Sequence, residues 1–146
     1  VRVVFGSDHA GYELKRVLME LAQERGWEVE DVGVHGAATA DYPDFAHAVA
    51  SRIGGGGDVR GVLVCGTGIG MAMAANRHPG VRAALCHDAF TAEMARRHND
   101  ANVLCLGGRV TGAGVALQIL DLFLATPFEG GRHRPRVAKI EKESAP

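Results

Sequence analysis

The sequence predicts an α/β domain built on a five-stranded parallel sheet, with helices on both faces. Two observations carry that expectation. Short β-branched apolar runs alternate with helix-period patterns along all 146 residues, and strand–helix alternation of this kind gives parallel strands joined by right-handed crossovers. The apolar runs also end repeatedly in glycine and polar residues, as strand ends beside a site do in such sheets.

The first run, "VRVVF" (1–5), reads as a buried strand. A helix is expected from Tyr12 to Arg25, with Leu14, Val17, Leu18, Leu21 and Ala22 on one face and Gly26 as its stop. "WEVEDVGV" (27–34) alternates like a strand near a sheet edge. Pro43 suits the first turn of the next helix, where a missing N–H costs nothing, and Phe45, Ala46, Val49, Ala50 and Ile53 share its inner face. "GGGGD" (54–58) turns into the third strand, "RGVLVC", which is followed by a glycine loop and a short helix from Met71 to Asn76. The strand 81–86, a helix from Ala89 to Arg97 and the strand 102–107 complete the alternation. Residues 111–125 form a helix apolar on most sides, which calls for burial by more than its own sheet; a subunit interface would provide it. The tail from about 126 is polar and partly basic, with a short helix expected over Val137–Glu143. No repeat, linker or second domain is visible, so residues 1–146 read as one domain.

Composition narrows the function classes. The hydrophobic fraction is 47%, the charged fraction 23% and the formal net charge −1, which gives nucleic acid or membrane surfaces no electrostatic support. No apolar run is long enough to span a bilayer, and "VRVVFGSDHAG" does not read as a signal peptide. Three cysteines without paired spacing fit reduced thiols in a cytoplasmic setting. Neither H-E-x-x-H nor C-x-x-C occurs among the seven histidines and three cysteines, so no metal site is expected.

Reading the predicted strand ends gathers Gly6-Ser7-Asp8-His9, Cys65-Gly66-Thr67-Gly68, His87-Asp88 and Gly107-Gly108-Arg109 on one edge. Glycines 66, 68 and 70 give G-x-G-x-G, neither the dinucleotide fingerprint nor a P-loop. Such a loop can still aim several N–H groups at one anionic oxygen; the plainer alternative is a tight turn. Cys65 precedes those amides and a helix start, surroundings that favour a thiolate able to act as nucleophile or base. Cys86 and Cys105 read as small buried hydrophobes. Asp8 can orient a hydroxyl or an imidazole, or simply cap the helix that follows, and His9 can donate to a phosphate. His98 and Asn99 end a helix, where a histidine also suits the helix dipole. Arg132, Arg134 and Arg136, with His133 among them, suit phosphate oxygens or form a solvated basic tail.

Taken together, "FGSDHAGYELK", "DYPDFA", "CGTGIGMAMAANR", "RHNDANVLCLGGR" and "EGGRHRPRV" resemble the ribose-5-phosphate isomerase B family of sugar-phosphate isomerases, from about Val3 to Val137. The resemblance implies a Rossmann-like three-layer α/β/α sandwich, a homodimer or tetramer with active sites between subunits, a sugar-phosphate substrate and no cofactor. It implies that Cys65 moves the proton between C1 and C2, with Thr67 and the amides of Gly66, Gly68 and Gly70 holding the enediolate oxygen. By the same resemblance Asp8 and His98 assist ring opening, and Asn99 reaches the sugar from the partner subunit. His9, Arg109, Arg132 and Arg136 bind phosphate, and Tyr42 lines the sugar site. One branch of the family replaces the cysteine by a glutamate further along; "MAMAANR" holds no acid, which implies the cysteine mechanism.

The expected reaction is therefore interconversion of D-ribose 5-phosphate and D-ribulose 5-phosphate through an enediolate. The rivals are an isomerase of a six-carbon sugar phosphate, allose or galactose 6-phosphate, and a non-catalytic nucleotide-binding α/β module.

Overall fold

The computed structural model describes residues 1–54 and 57–142. Gly55 and Gly56 of the expected turn, and Glu143 of the expected tail helix, lie outside the described residues. Five strands form one sheet: β1 (Arg2–Ser7), β2 (Glu28–Asp31), β3 (Val59–Cys65), β4 (Ala83–Leu85) and β5 (Val103–Gly107). Their order is β2-β1-β3-β5-β4 and every neighbouring pair is parallel. The helices are α1 (Tyr12–Glu24), α2 (Tyr42–Ile53), α3 (Ile69–Ala75), α4 (Ala89–Arg97), α5 (Ala113–Ala125) and α6 (Arg134–Ala138), the last preceded by a 3-10 turn at Gly131–His133. No helix among them is long and apolar enough to cross a membrane.

Strand alternation divides the interior into two layers. On one face Val3, Phe5, Val62, Val64, Leu104 and Leu106 pack against Leu14 and Leu18 of α1, Ala92 and Ala95 of α4, and Ile119, Leu120 and Phe123 of α5. On the other, Val4, Leu63, Cys65, Val103 and Cys105 meet Val49, Ala50 and Ile53 of α2 and Met71 and Ala75 of α3. This is the expected three-layer sandwich, with the Cys65 side chain on the α2–α3 side.

Several expectations need correction. β2 is shorter than the alternating run 27–34, because the chain leaves the sheet at Asp31. α3 starts at Ile69, two residues before the expected Met71, since Gly68 adopts φ +80° and sets the helix start there. On α1 the buried face is Leu14, Lys15, Leu18 and Ala22, while Val17 is 36% exposed. The face turns because the Lys15 Nζ donates to Asp31 Oδ1 at 2.7 Å and to the Val34 carbonyl at 2.6 Å. α5 packs against α1 and α4 on its inner side and leaves Val115 exposed on its outer one. The tail helix is α6, not Val137–Glu143, because Pro135 fits a first turn and positive φ angles at Gly130 and Gly131 bend the chain just before it.

Asp88, at the carboxyl end of β4, is spent on structure. It caps α4, its Oδ1 accepting the Thr91 N–H at 2.7 Å and the Thr91 hydroxyl at 2.8 Å. Those two bonds hold its carboxyl below the usual carboxylate value. A carboxyl lowered in the folded state contributes stability above its unfolded pKa and loses it as pH falls through the folded value. Thermal melts against pH should therefore show Asp88→Ala less stable than the parent near neutrality, the gap closing on acidification. Asp88→Asn, which keeps an acceptor oxygen, should fall between the two near neutrality.

Candidate active site

In a parallel sheet, ligands sit beyond the carboxyl ends of the strands, where neighbouring connections diverge in direction. Here β1 leads to β2 on one side and borders β3 on the other, so the divergence falls between β1 and β3. Asp8 follows β1 and Cys65 ends β3, which places them on the two sides of that point.

The Cys65 side chain is buried, and its Sγ accepts the N–H of Gly68 at 3.1 Å. That contact depends on the left-handed turn at Gly68, where a Cβ would also stand 2.9 Å from the Leu106 carbonyl carbon. Gly107 allows the loop to lie flat on β5, since a Cβ there would meet the Thr67 backbone at 2.7 Å. The loop is pinned from the same side by the N–H of Gly108 to the Cys65 carbonyl at 2.7 Å and of Arg109 to the Gly66 carbonyl at 3.0 Å. Burial pushes the Cys86 thiol up to about 11 and the Cys105 thiol up as well, the behaviour of inert core thiols.

Other expected residues gather around this loop. Asp8 is buried, and its Oδ1 accepts the N–H groups of Ala10 at 2.9 Å and Gly11 at 3.1 Å. It thus forms the turn before α1, three residues ahead of the Gly11 cap, and one oxygen serves both bonds. His9 Nδ1 accepts the Ala40 N–H at 3.2 Å, which leaves the ring proton on Nε2 as a donor. Tyr42 lies over Gly70, whose Cβ would come within 2.5 Å of the phenol ring. The Arg109 guanidinium lies beside Gly66, its Nη1 3.5 Å from where a Cβ would stand. Thr67 is exposed at the loop tip, its Oγ1 accepting the Ile69 N–H at 3.2 Å.

His98, Asn99, Arg132 and Arg136 are elsewhere. α4 starts after β4 and ends before β5, so its C-terminus lies at the amino edge of the sheet. β5 alone separates the edges by roughly 15 Å at about 3.3 Å per residue. The tail folds back on this end, Glu129 donating its N–H to the Arg97 carbonyl at 3.1 Å. The result is a recess of about 410 Å³ lined by His98, Asn99, Arg132, His133 and Arg136. No carboxyl-edge residue lines it.

Within the recess the His98 and His133 rings stack, centroids 4.3 Å apart and planes within 16°. His133 is buried, and desolvation together with His98 and Arg132 holds its imidazole below the usual histidine value. Glu129 Oε1 stands 3.8 Å from His133 Nε2. The ligating atoms of His98, Glu129 and His133 all lie within 4.8 Å of one another, an assembly that sequence spacing does not reveal. Sequence reasoning gives His133 no role of its own beside the arginines and does not single out Lys15. His133 looks like part of a charge run, and Lys15 looks solvent-facing until its partners across the fold are known. Lys15 matters here because the loop it grips holds Ser7 on both sides: Ser7 N–H to the Gly33 carbonyl at 2.8 Å, Val34 N–H to the Ser7 carbonyl at 2.9 Å. Asp8 is the next residue.

The chain matches the Ribose/Galactose Isomerase family over residues 3–140. It is 43% identical to ribose-5-phosphate isomerase B of Escherichia coli over 139 residues, 95% of this chain and 93% of that protein. Among solved structures, ribose-5-phosphate isomerase B of Clostridium thermocellum superposes with a TM-score of 0.93 at 49% identity, covering 96% of this chain and 95% of that one. The enzyme of Mycoplasma genitalium, solved with bound ribulose-5-phosphate, superposes with a TM-score of 0.91 at 42% identity, over 95% and 93% of the two chains. With a family match across nearly its whole length and relatives more than 40% identical over nearly all of it, the chain belongs to the Ribose/Galactose Isomerase family.

Proposed function

We propose that this protein interconverts D-ribose 5-phosphate and D-ribulose 5-phosphate, with Cys65 as the base. The observation that carries the proposal is the Cys65 sulfur, which meets a loop amide at the divergence point of a family-typical sheet. The relatives named ribose-5-phosphate isomerase B support the five-carbon substrate over the six-carbon one.

The chemistry follows from the groups present. Asp8 and His98 move the protons that open the furanose ring and release the C1 aldehyde. The Cys65 thiolate then takes the C2 proton, and the C–H electron pair moves toward the C1 oxygen to form the enediolate. That oxygen is stabilised by Thr67 and by the amides of the Gly66–Gly70 loop; fixed donors aimed at developing charge act without reorganising during the reaction. Transfer of a proton between the two oxygens and return of the Cys65 proton to C1 completes the ketose. Atoms and electrons balance without a redox partner. His9, Arg109, Arg132 and Arg136 hold the phosphate, remote from the reacting carbons, so that binding energy positions them. Tyr42 lines the sugar site.

These roles require two chains. His98, Asn99, Arg132 and Arg136 sit at the amino edge and Cys65 at the carboxyl edge, so one copy completes the site of another. A homodimer, alone or paired into a tetramer, satisfies that requirement. The three cysteines are free, which fits a reducing, cytoplasmic setting.

Three measurements test the reading. In a direct assay, the parent protein should isomerise ribose 5-phosphate and Cys65→Ala should lose about 10²–10⁴ of the turnover; an inactive parent, or a fully active variant, counts against it. Cys65→Ala and His98→Asn, each nearly inactive alone, should regain about a quarter of parental activity when unfolded and refolded together, since half of the statistically mixed dimers carry one intact site. No recovery would place both residues in one chain's site. Arg132→Ala with Arg136→Ala should raise KM about tenfold or more while kcat changes less, because charge-assisted contacts to a non-reacting phosphate are lost.

A further inference from the structure

We propose that His98, Glu129 and His133 form a binding site for Zn²⁺ at the amino-edge recess, and that zinc there switches the isomerase off. The second half rests on the role given above to His98; the first half does not.

The donor set is two imidazoles and a carboxylate, which suits a borderline cation and leaves a fourth position for water. Nitrogen donors select zinc over magnesium or calcium, which prefer oxygen. The backbone fixes the three donors near each other. Glu129 is anchored to α4 by its N–H bond to Arg97, and the left-handed turns at Gly130 and Gly131 bring His133 back beneath it. His133 is buried and cannot drift, and His98 is stacked upon it.

Three side-chain adjustments separate this arrangement from a coordination shell. Ligand atoms about 2.0–2.2 Å from one ion stand about 3.3 Å apart, whereas Glu129 Oε1 and His133 Nε2 are now at 3.8 Å. The Glu129 side chain is 50% exposed and free to close that gap. In-plane lone pairs on two nearly parallel rings do not converge on one ion, so one ring must turn. His98, half-buried at the helix end and bordering the recess, is the ring with space. The Arg132 Nε, 3.4 Å from His133 Nε2, must swing out as the ion enters. With Arg132 and Arg136 nearby, the site binds more weakly than a four-ligand structural zinc. That suits a reversible inhibitor. An ion that turns His98 and takes its lone pair removes it from ring opening, so inhibition follows from coordination alone.

The test uses the full chain, freed of metal by a chelator, titrated with Zn²⁺ by calorimetry and assayed in parallel on ribose 5-phosphate. A single zinc per chain should bind, with affinity reduced at least tenfold in Glu129→Gln and in His133→Asn and unchanged in Cys65→Ala. Glu129→Gln, an exposed change outside the substrate site, should keep parental turnover and lose zinc inhibition. Absent binding, binding unaltered in Glu129→Gln, or binding abolished by Cys65→Ala would overturn the site. Zinc bound in the recess of an enzyme that keeps full turnover would overturn the switch. Should the parent prove inactive on the sugar phosphate, the titrations alone still decide the site.

Discussion

Because all five strands run the same way, each crossover helix must travel back from the carboxyl edge to the amino edge, and the chain's reactive groups are divided accordingly. Residues that follow a strand, such as Asp8, Cys65 and Arg109, fall on one edge; residues that follow a helix, such as His98 and Asn99, fall on the other. No local rearrangement can close that gap, since it is the length of the strands. The tail 126–138 reinforces the split by bringing Arg132, His133 and Arg136 to the amino edge. Oligomerisation is then a requirement of the proposed chemistry, independent of any apolar surface. α5, whose apolar sides suggest a subunit interface, packs against α1 and α4 and leaves Val115 exposed.

The sheet, its helical layers and the identity of the carboxyl-edge residues were legible because they depend on local periodicity and on what directly follows a strand. The continuous apolar run 62–65 and the glycines after it specify where Cys65 stands without knowledge of any distant contact. The β5 neighbour that makes its loop possible was less visible: Gly107 is needed only because Thr67 lies across it. The tail failed for a related reason. Its helix start depends on positive φ at Gly130 and Gly131, and on a hydrogen bond from Glu129 to a helix 32 residues earlier (129 − 97), neither of which periodicity encodes.

Buried charge was the least legible feature. A lysine four residues into a helix normally faces water, yet Lys15 is fully buried and satisfied by Asp31 and the Val34 carbonyl. Arg96 is likewise buried, donating to the carbonyls of Thr126 and Ala101 and to Asp100. Desolvation, with Arg60 and Arg82 nearby, pulls its guanidinium below its usual value. Removing one member of such a pair typically costs about 3–5 kcal/mol, because the other charge is left unpaired away from water. Both pairs tie a helix to the loop that carries site residues: Lys15 to the segment bracketing Ser7, and Arg96 to the connection between His98 and β5. They trade hydrophobic stability for fixed loop positions at the two edges.

Why the proposed base is Cys65 and not either of its neighbours follows from what each sulfur touches. Cys105 lies in the middle of β5, closed in on every side, and its thiolate would have no donor to compensate lost hydration. Cys86 has Thr91 to offer a hydrogen bond, but desolvation is the larger effect and the Asp88 carboxylate opposes a second negative charge. Cys65 is buried too, yet it ends its strand where the chain turns, and the Gly68 N–H points at it. Moving that thiol one residue back along β3 would carry it to the opposite face of the sheet, among the side chains of α1 and α5. The strand end, the left-handed glycine and the sulfur are therefore one device, and the proposed base needs all three.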